Sequence, residues 1–115
     1  MKLEVGMYVR HKTSLSSKYV KINKIKEIEE KENCLHIWLE DKDLITEKYL
    51  IKASYNIIDI LEVGDYVNGC KIIKNTLKDG GNIVIVQGGN CFTNEEIKSI
   101  VTKEQMEQMA YKVSD

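Results

Sequence analysis

Apolar and polar residues alternate along much of this chain, which is typical of short β-strands with one buried face. The alternation is clearest over residues 34–40, where Trp38 lies on the polar face. The apolar face of that strand carries Leu35, Ile37 and Leu39. A second alternating stretch, residues 18–28, loses its phase midway, which predicts a β-bulge near Asn23. The pattern therefore predicts a series of short strands joined by polar turns.

The C-terminal residues follow a helical period instead. Thr102 and Gln105 are spaced as the two ends of a capping box, which starts a helix. Apolar side chains then recur at i, i+3, i+4 and i+7, the spacing of one helix face. These residues are Met106, Met109, Ala110 and Val113. We expect a helix from about 103 to 113 whose apolar face packs on the rest of the chain. A homodimer formed through Met106, Met109 and Val113 is the alternative.

One heptapeptide occurs twice, which indicates a duplicated structural unit. Residues 3–9 read LEVGMYV and residues 61–67 read LEVGDYV, so the two copies differ only at Met7 and Asp65. A second match has a constant offset of 40 residues and follows a polar turn in both places. It aligns Ile57, Ile60 and Leu61 with Ile97, Ile100 and Val101. We interpret each set as a helical turn before a closing strand, so the second unit would be 18 residues shorter than the first.

These patterns predict a mainly β fold, with two small SH3-like β-barrel units packed together and a C-terminal α-helix. Five short strands with a helical turn before the last resemble the architecture of an SH3-like barrel, and closure would remove exposed strand edges. The predicted boundaries are residues 1–60 for the first unit and 61–101 for the shorter second unit. Residues 102–115 would form the helix and tail.

Composition excludes several classes of protein. The formal net charge is −1, so no overall field favours nucleic acid or a membrane. No apolar run approaches the roughly 18 residues of a membrane span, so we expect no membrane partner. The cysteines Cys34, Cys70 and Cys91 are widely spaced, which favours reduced thiols and a cytoplasmic location.

Charge is polarised locally. The first strands carry a basic run that includes the only arginine, and an acidic run follows. The basic patch comprises Arg10, Lys12, Lys18, Lys21 and Lys24. The acidic patch comprises Glu29, Glu30, Glu32, Glu40, Asp41 and Asp43. Either patch could bind a partner, the first through phosphates and the second by imitating them. The simpler interpretation is that both are solvated faces whose charges pair across strands.

The residues that could carry catalysis or bind a metal lack a supporting pattern. Cys34 and His36 share a strand face, but a zinc site needs about four ligands and no second pair has the right spacing. The paired glycines at 80–81 and 88–89 lack the lysine and helix of a phosphate loop. We therefore expect no catalytic residue, no metal and no cofactor, and a protein that is not an enzyme.

Aromatic residues offer one further candidate site. Trp38, Tyr19 and Tyr49 could form a binding cluster of the kind found on one rim of SH3-like barrels. For Trp38, contact with a partner and structural cover both remain open. Tyr8 and Tyr66 occupy equivalent positions in the two heptads and are expected to pack in the core.

Two segments besides the first heptad carry a resemblance to a known group. They are residues 56–69, NIIDILEVGDYVNG, and residues 97–105, IKSIVTKEQ. With both heptads, they make the chain resemble small phage and prophage proteins of low-GC Gram-positive bacteria. No catalytic residues are established for that group, so none is carried over.

The resemblance implies a mobile-element protein in the cytoplasm of a bacterial host cell. Small phage proteins of this sort include anti-CRISPR proteins, which act by binding. We therefore expect a binding protein that antagonises a host defence nuclease by blocking a nucleic-acid or regulatory surface. A nucleic-acid-binding SH3-like module and a sponge for a nucleotide second messenger are the alternatives.

Overall fold

The computed structural model describes residues 2–14, 19–78 and 81–109. Within these ranges the chain is mainly β, with two five-stranded antiparallel sheets and one short C-terminal helix. That architecture confirms the predicted class. Each sheet corresponds to one copy of the heptapeptide.

The first sheet has the strand order β4-β3-β2-β1-β5, with a 3₁₀ turn before its last strand. Its strands are β1 (Tyr8–Lys12), β2 (Val20–Lys31), β3 (Cys34–Leu39), β4 (Leu44–Thr46) and β5 (Leu50–Ser54). The turn spans Glu47–Tyr49. A second 3₁₀ turn, Ile57–Ile60, links the two sheets.

The second sheet repeats this order, β9-β8-β7-β6-β10, again with a 3₁₀ turn before the last strand. Its strands are β6 (Tyr66–Val67), β7 (Cys70–Lys78), β8 (Gly81–Val86), β9 (Cys91–Phe92) and β10 (Ile100–Val101). The turn spans Asn94–Glu96, and the helix α1 spans Lys103–Met109. The two sheets are therefore related strand for strand.

The two heptads have the same local backbone. The amide of Gly6 donates to the carbonyl of Ile25 at 2.9 Å, and the amide of Gly64 donates to the carbonyl of Ile72 at 3.0 Å. In both units the amide of the same isoleucine donates, at 2.8 Å, to the carbonyl of the residue that follows the glycine, Met7 or Asp65. Both glycines have positive φ, +94° and +100°, a conformation that disfavours other residues. The two heptads therefore share the same hydrogen bonds and the same glycine conformation.

The predicted second match, with its offset of 40 residues, is wrong. The amide of Leu39 donates to the carbonyl of Asp43 at 2.9 Å, and in the second unit the amide of Val86 donates to the carbonyl of Asn90 at 3.0 Å. These equivalent residues are 47 positions apart in the sequence. The turns before the closing strands, 47–49 and 94–96, follow the same offset. The turn at 57–60 is therefore a linker, and its likeness to residues 97–100 reflects isoleucine spacing alone.

The size difference between the units lies in one hairpin. Val9 faces Asn23 across β1 and β2, whereas Val67 faces Cys70 across β6 and β7. Equivalent residues of the two units are 58 positions apart before this hairpin and 47 positions apart after it. The second unit is therefore 11 residues shorter, and not 18. The predicted bulge exists, but at Lys26 on β2 instead of Asn23.

Closure of the sheets into barrels is not seen in the described residues. Strands β4 and β5 end the first sheet without pairing with each other, and β9 and β10 end the second in the same way. Hydrogen bonding between strands is therefore that of two open sheets.

Each unit has its own apolar cluster. The first consists of Met7, Val9, Ile25, Ile37, Leu39 and Ile45. The second consists of Ile58, Leu61, Val67, Ile72, Val84 and Val86. The predicted apolar face of β3 is confirmed, and each such fully buried side chain stabilises the fold by about 1.5–3 kcal/mol. The second cluster takes in the linker turn through Ile58, so that turn packs with the second unit.

Helix α1 begins at the predicted capping box. The amide of Gln105 donates to Thr102 Oγ1 at 3.0 Å, and the amide of Thr102 donates to Gln105 Oε1 at 3.0 Å. The expected burial of the apolar face is wrong at Met109, which is 63% exposed. Ala110 and Val113 lie outside the described residues, so the homodimer stays a prediction. Instead, the buried Thr102 hydroxyl donates to the carbonyl of Val20 at 2.6 Å and ties the helix to the first sheet.

Candidate functional site

Arg10 lies at the junction between the two units. Val9 points into the first apolar cluster, so the next residue on β1 points out of it, toward the second heptad. The guanidinium of Arg10 is 1% exposed and binds Asp65 through two parallel contacts, Nη1–Oδ2 at 2.6 Å and Nη2–Oδ1 at 3.1 Å. Its assignment to a surface basic patch is therefore wrong, because the side chain is buried and paired.

Asp65 is the one residue by which the two heptads differ. In the first unit Met7 occupies this position and packs in the apolar cluster. Asp65 is 0% exposed, and besides Arg10 it accepts hydrogen bonds from the amides of Glu62, at 2.7 Å, and Lys103, at 2.9 Å. The second unit thus has a buried carboxylate where the first has a buried thioether, and this carboxylate pairs with Arg10, the only arginine of the chain.

Two further carboxylates complete this cluster. Arg10 Nη2 lies 2.9 Å from Glu104 Oε2 on α1, and Nε lies 3.4 Å from Glu62 Oε2. Burial alone would lower the pKa of Arg10, but the hydrogen bond and the charge of Asp65 raise it overall. Burial would raise the pKa of Glu62, yet the bond from Lys103 and the neighbouring cations lower it. The cluster joins β1, the second heptad and α1, so its role is structural.

The remaining lysines of the predicted basic patch do not form one free surface. Lys21 Nζ lies 3.5 Å from Asp41 Oδ2 and 3.6 Å from Asp43 Oδ2. Lys24 Nζ lies 5.5 Å from the centroid of the Tyr8 ring, and Lys12 is half-buried. Lys18 lies outside the described residues.

A buried histidine connects β1 to the acidic turn after β3. The Nδ1–H of His11 donates to the Lys12 carbonyl at 2.9 Å, and Nε2 accepts from the Asn23 amide at 2.9 Å. The same Asn23 amide group donates to Asp41 Oδ2 at 2.9 Å. Burial lowers the pKa of His11, so the ring is neutral.

The turn after β3 is held by Asp41. Its Oδ1 accepts from the amide of Asp43 at 2.9 Å. Burial would raise the pKa of Asp41, but this backbone bond, the bond from Asn23 and the charge of Lys21 lower it. The carboxylate therefore stays ionised and fixes the position of the turn.

The outer face of β2, β3 and β4 combines exposed apolar and acidic side chains. Across the sheet Trp38 lies opposite Glu27 on β2 and opposite Leu44 on β4. Glu29 shares this face, two residues along β2 from Glu27. Trp38 is 38% exposed and Leu44 is 44% exposed. We call Glu27, Glu29, Trp38 and Leu44 the acidic β2–β4 face.

All six residues of the predicted acidic patch are exposed, but they do not share one face. Glu30 follows Glu29 on β2, so its side chain points to the opposite side of the hairpin. Glu32 is in the turn of that hairpin, and Glu40, Asp41 and Asp43 follow β3. Glu27, which sequence reasoning left out of the patch, belongs to the face because it pairs with Trp38.

The three aromatic residues predicted to cluster have separate surroundings. Tyr49 packs against the first apolar cluster, and the hydroxyl of Tyr19 accepts from Gln105 Nε2 at 3.3 Å. Trp38 lies on the acidic β2–β4 face. Tyr8 and Tyr66, expected in the core, are half-buried and belong to neither apolar cluster.

The described residues contain no group of three or more His, Cys, Asp or Glu side chains placed to hold a metal ion. Cys34 and Cys70 are half-buried free thiols, and Cys91 is an exposed one. Within the same ranges, no helix has the length and apolar character needed to cross a bilayer. Comparisons of the chain with protein-family models, with curated proteins and with solved structures found no match.

Proposed function

We propose that this chain is a non-enzymatic binding protein that uses the acidic β2–β4 face to cover a basic, nucleic-acid-binding surface of a host defence nuclease. The observation that carries the proposal is an exposed Trp–Leu pair on the sheet, with Glu27 directly opposite Trp38 and Glu29 on the same face. The phage-like motifs of the sequence supply the setting, a mobile element in the cytoplasm of a bacterial host.

The centre of the face supports binding to a protein. Trp38 and Leu44 are direct cross-strand neighbours, so their exposed surfaces are contiguous. Tryptophan is enriched among the residues that dominate the energy of protein interfaces, particularly where a polar rim excludes water around it. Glu27 borders Trp38 on the other side and begins such a rim.

Two exposed glutamates of the face favour a basic partner. Glu27 and Glu29 are exposed on β2, where Lys26 and Lys42 lie beside Trp38 and Lys31 Nζ lies 3.8 Å from Glu29 Oε1. Within the predicted basic patch, Arg10 is buried and Lys21 pairs with two aspartates, so neither is a free cation. Complementary charge would steer the chain onto a lysine- and arginine-rich groove that normally holds nucleic acid.

The face is also preorganised. The amide of Leu39 donates to the carbonyl of Asp43 at 2.9 Å, which closes the turn between β3 and β4. Asp41 fixes the same turn through Asn23 on β2. A surface that is already ordered loses less conformational entropy when it binds.

We also propose that the two units are open variants of the SH3-like barrel. The support is the shared order of five strands and the 3₁₀ turn before the last one. Such small β modules commonly present a binding surface on one side of the sheet, which agrees with a binding function.

The proposal can be tested by measuring whether the purified chain inhibits cleavage by reconstituted CRISPR nuclease complexes. The informative variant is Glu27→Lys/Glu29→Lys, which reverses the charge of the face without altering the apolar cluster. Glu95→Lys/Glu107→Lys is the matched control with the same change of net charge, since both residues are exposed and lie outside β2–β4. We expect inhibition by the wild type and the control, and its loss in Glu27→Lys/Glu29→Lys.

Equal inhibition by all three proteins, or no inhibition and no binding to any nuclease, would contradict the proposal. The competing hypothesis is direct binding of DNA or RNA by the basic residues. It predicts an affinity for nucleic acid that falls steeply with salt and is not weakened by Glu27→Lys/Glu29→Lys.

A further inference from the structure

Each unit carries the same tyrosine–lysine pair at the same position. Tyr8 faces Lys24 across β1 and β2, and Tyr66 faces Lys71 across β6 and β7. The main chain is equivalent too. The carbonyl of Lys24 accepts from the amide of Glu40, directly after β3, at 3.0 Å, and the carbonyl of Lys71 accepts from the amide of Gln87, directly after β8, at 2.9 Å. Each pair lines an open groove, of about 360 Å³ in the first unit and about 390 Å³ in the second.

The first groove lies between the two units. Ile22 and Ile57 give it apolar walls, and residues 97–100 of the second unit form the opposite side. That side is held by Asn68, whose Oδ1 accepts from the amides of Lys98, at 2.8 Å, and Ser99, at 3.2 Å. The groove is therefore formed by packed elements and not by a free loop.

The second groove is bounded by helix α1. Lys103, Met106 and Glu107 line it opposite Tyr66 and Lys71. The helix is fixed there because the amide of Lys103 donates to the buried Asp65 at 2.9 Å. A neighbouring element thus forms one wall of each groove, the end of the second sheet in one case and α1 in the other.

The first groove carries an excess of positive charge, and in the second Glu62 balances the charge of Lys103 and leaves Lys71 without an ion-pair partner among the described residues. Each contains two lysines and one glutamate. The sets are Lys24, Lys98 and Glu40 in the first groove, and Lys71, Lys103 and Glu107 in the second. Among the carboxylates that the structure describes, Glu62 pairs with Lys103 at 2.8 Å, and none lies within ion-pair distance of Lys24, Lys71 or Lys98.

We propose that the two grooves form a duplicated nucleotide-binding site, with one nucleotide in each. The tyrosine ring, with isoleucine walls in the first groove and Met106 in the second, suits the flat, weakly polar base, since aromatic rings stack on bases without sequence preference. The lysine ammonium groups and the phenolic hydroxyl are donors for the phosphate oxygens. This site is separate from the acidic β2–β4 face, so it adds a ligand to the proposed protein partner.

Isothermal titration calorimetry of the full chain at low salt tests this site. The probes are AMP and UMP, with adenosine and inorganic phosphate as the two halves of the ligand. We expect two equivalents of nucleotide per chain and weaker binding of each half by at least about tenfold, because a charge-assisted hydrogen bond or a stacked base is lost in each case.

Lys24→Gln and Lys71→Gln should each reduce the stoichiometry to one, and the double variant should bind no nucleotide. Lys48→Gln is the matched control, because Lys48 is an exposed lysine outside both grooves. Far-UV circular dichroism checks that all variants keep the fold. Inorganic phosphate binding as tightly as AMP, a wild-type stoichiometry other than two, or unchanged binding in the double variant would overturn the proposal, as would the absence of nucleotide binding.

Discussion

Replacing Asp65 with methionine, the residue of the first heptad, tests the buried ion pair that joins the two units. We expect Asp65→Met to lower the free energy of unfolding by about 3–5 kcal/mol, because removing one partner leaves a buried charge without compensation. Arg10, at 1% exposure, cannot turn to solvent without disrupting β1. Arg10→Met should destabilise the fold by a similar amount, since Asp65 would then be buried with two backbone donors only.

The magnitude follows from the hydrogen bonds that Asp65 accepts. Two come from Arg10, at 2.6 and 3.1 Å, and two from the amides of Glu62 and Lys103, at 2.7 and 2.9 Å. Each donor left unsatisfied costs about 1–3 kcal/mol. Glu104 still contacts Arg10 at 2.9 Å in the variant, which limits the loss and places the expected value near the lower end of the range.

The assay is a double-mutant cycle measured by urea unfolding with far-UV circular dichroism. Arg10→Met/Asp65→Met should be more stable than the sum of the single changes predicts, by about 2 kcal/mol, because it leaves neither charge unpaired. Lys52→Met is the control, as Lys52 pairs with Glu62 at 3.4 Å on the surface and should change stability by less than about 1 kcal/mol. Additive single changes, or a cost below about 1 kcal/mol for Asp65→Met, would refute the reasoning.

Three other predictions concern pH, the helix cap and the exposed end of α1. The pKa of His11 is lowered in the folded state, so below pH 6.5, about the ordinary pKa of histidine, the unfolded state binds more protons than the folded state. The contribution of His11 to stability should therefore be complete above about pH 6.5 and should be lost as the pH falls toward the folded pKa. Urea midpoints measured at two pH values on either side of about 6.5 should fall less for His11→Gln than for the wild type, and an equal fall would contradict this. Thr102→Val should cost about 2 kcal/mol in urea unfolding, through the lost cap of Gln105 and the lost bond to Val20, and a neutral effect would count against that role. Met109→Gln should leave the thermal midpoint within about 2 °C of the wild type, and a larger fall would show that this exposed face is covered.

The repeated heptad predicted more of the fold than any other feature of the sequence. A turn that needs positive φ at glycine, followed by a strand, is specified locally, so Gly6 and Gly64 adopt the same backbone. The alternation around Ile37 and the capping box at Thr102 are local patterns of the same kind. These signals depend on a few neighbouring residues, and the structure retains each of them.

Long-range pairing could not be predicted in the same way. The match of Ile57 with Ile97 failed because isoleucine spacing does not report which strands pair. Sheet closure depends on contacts between strands far apart in the sequence, and no local pattern determines whether β4 meets β5. The side of the hairpin on which Glu30 lies depends on the bulge at Lys26, which was predicted three residues too early.

The buried ion pair was missed although the sequence contained both signals. Arg10 is the only arginine, and Asp65 is the only difference between the heptads. The lysines that surround Arg10 in the sequence favour a basic surface patch, and that pattern does not report Asp65 as its partner. A buried arginine needs an anionic partner, and a carboxylate matches the geometry of its guanidinium group. The single arginine and the single heptad difference, which is a carboxylate, therefore favour a contact between Arg10 and Asp65.

In the proposed function, the acidic β2–β4 face is the surface that engages a nuclease. Hydrogen–deuterium exchange of the chain in complex with a nuclease that it inhibits tests this claim most directly. We predict that binding protects backbone amides of residues 27–46 and leaves those of β6 to β10 at their free rates. Protection confined to β1, to α1 or to the second sheet would contradict the account.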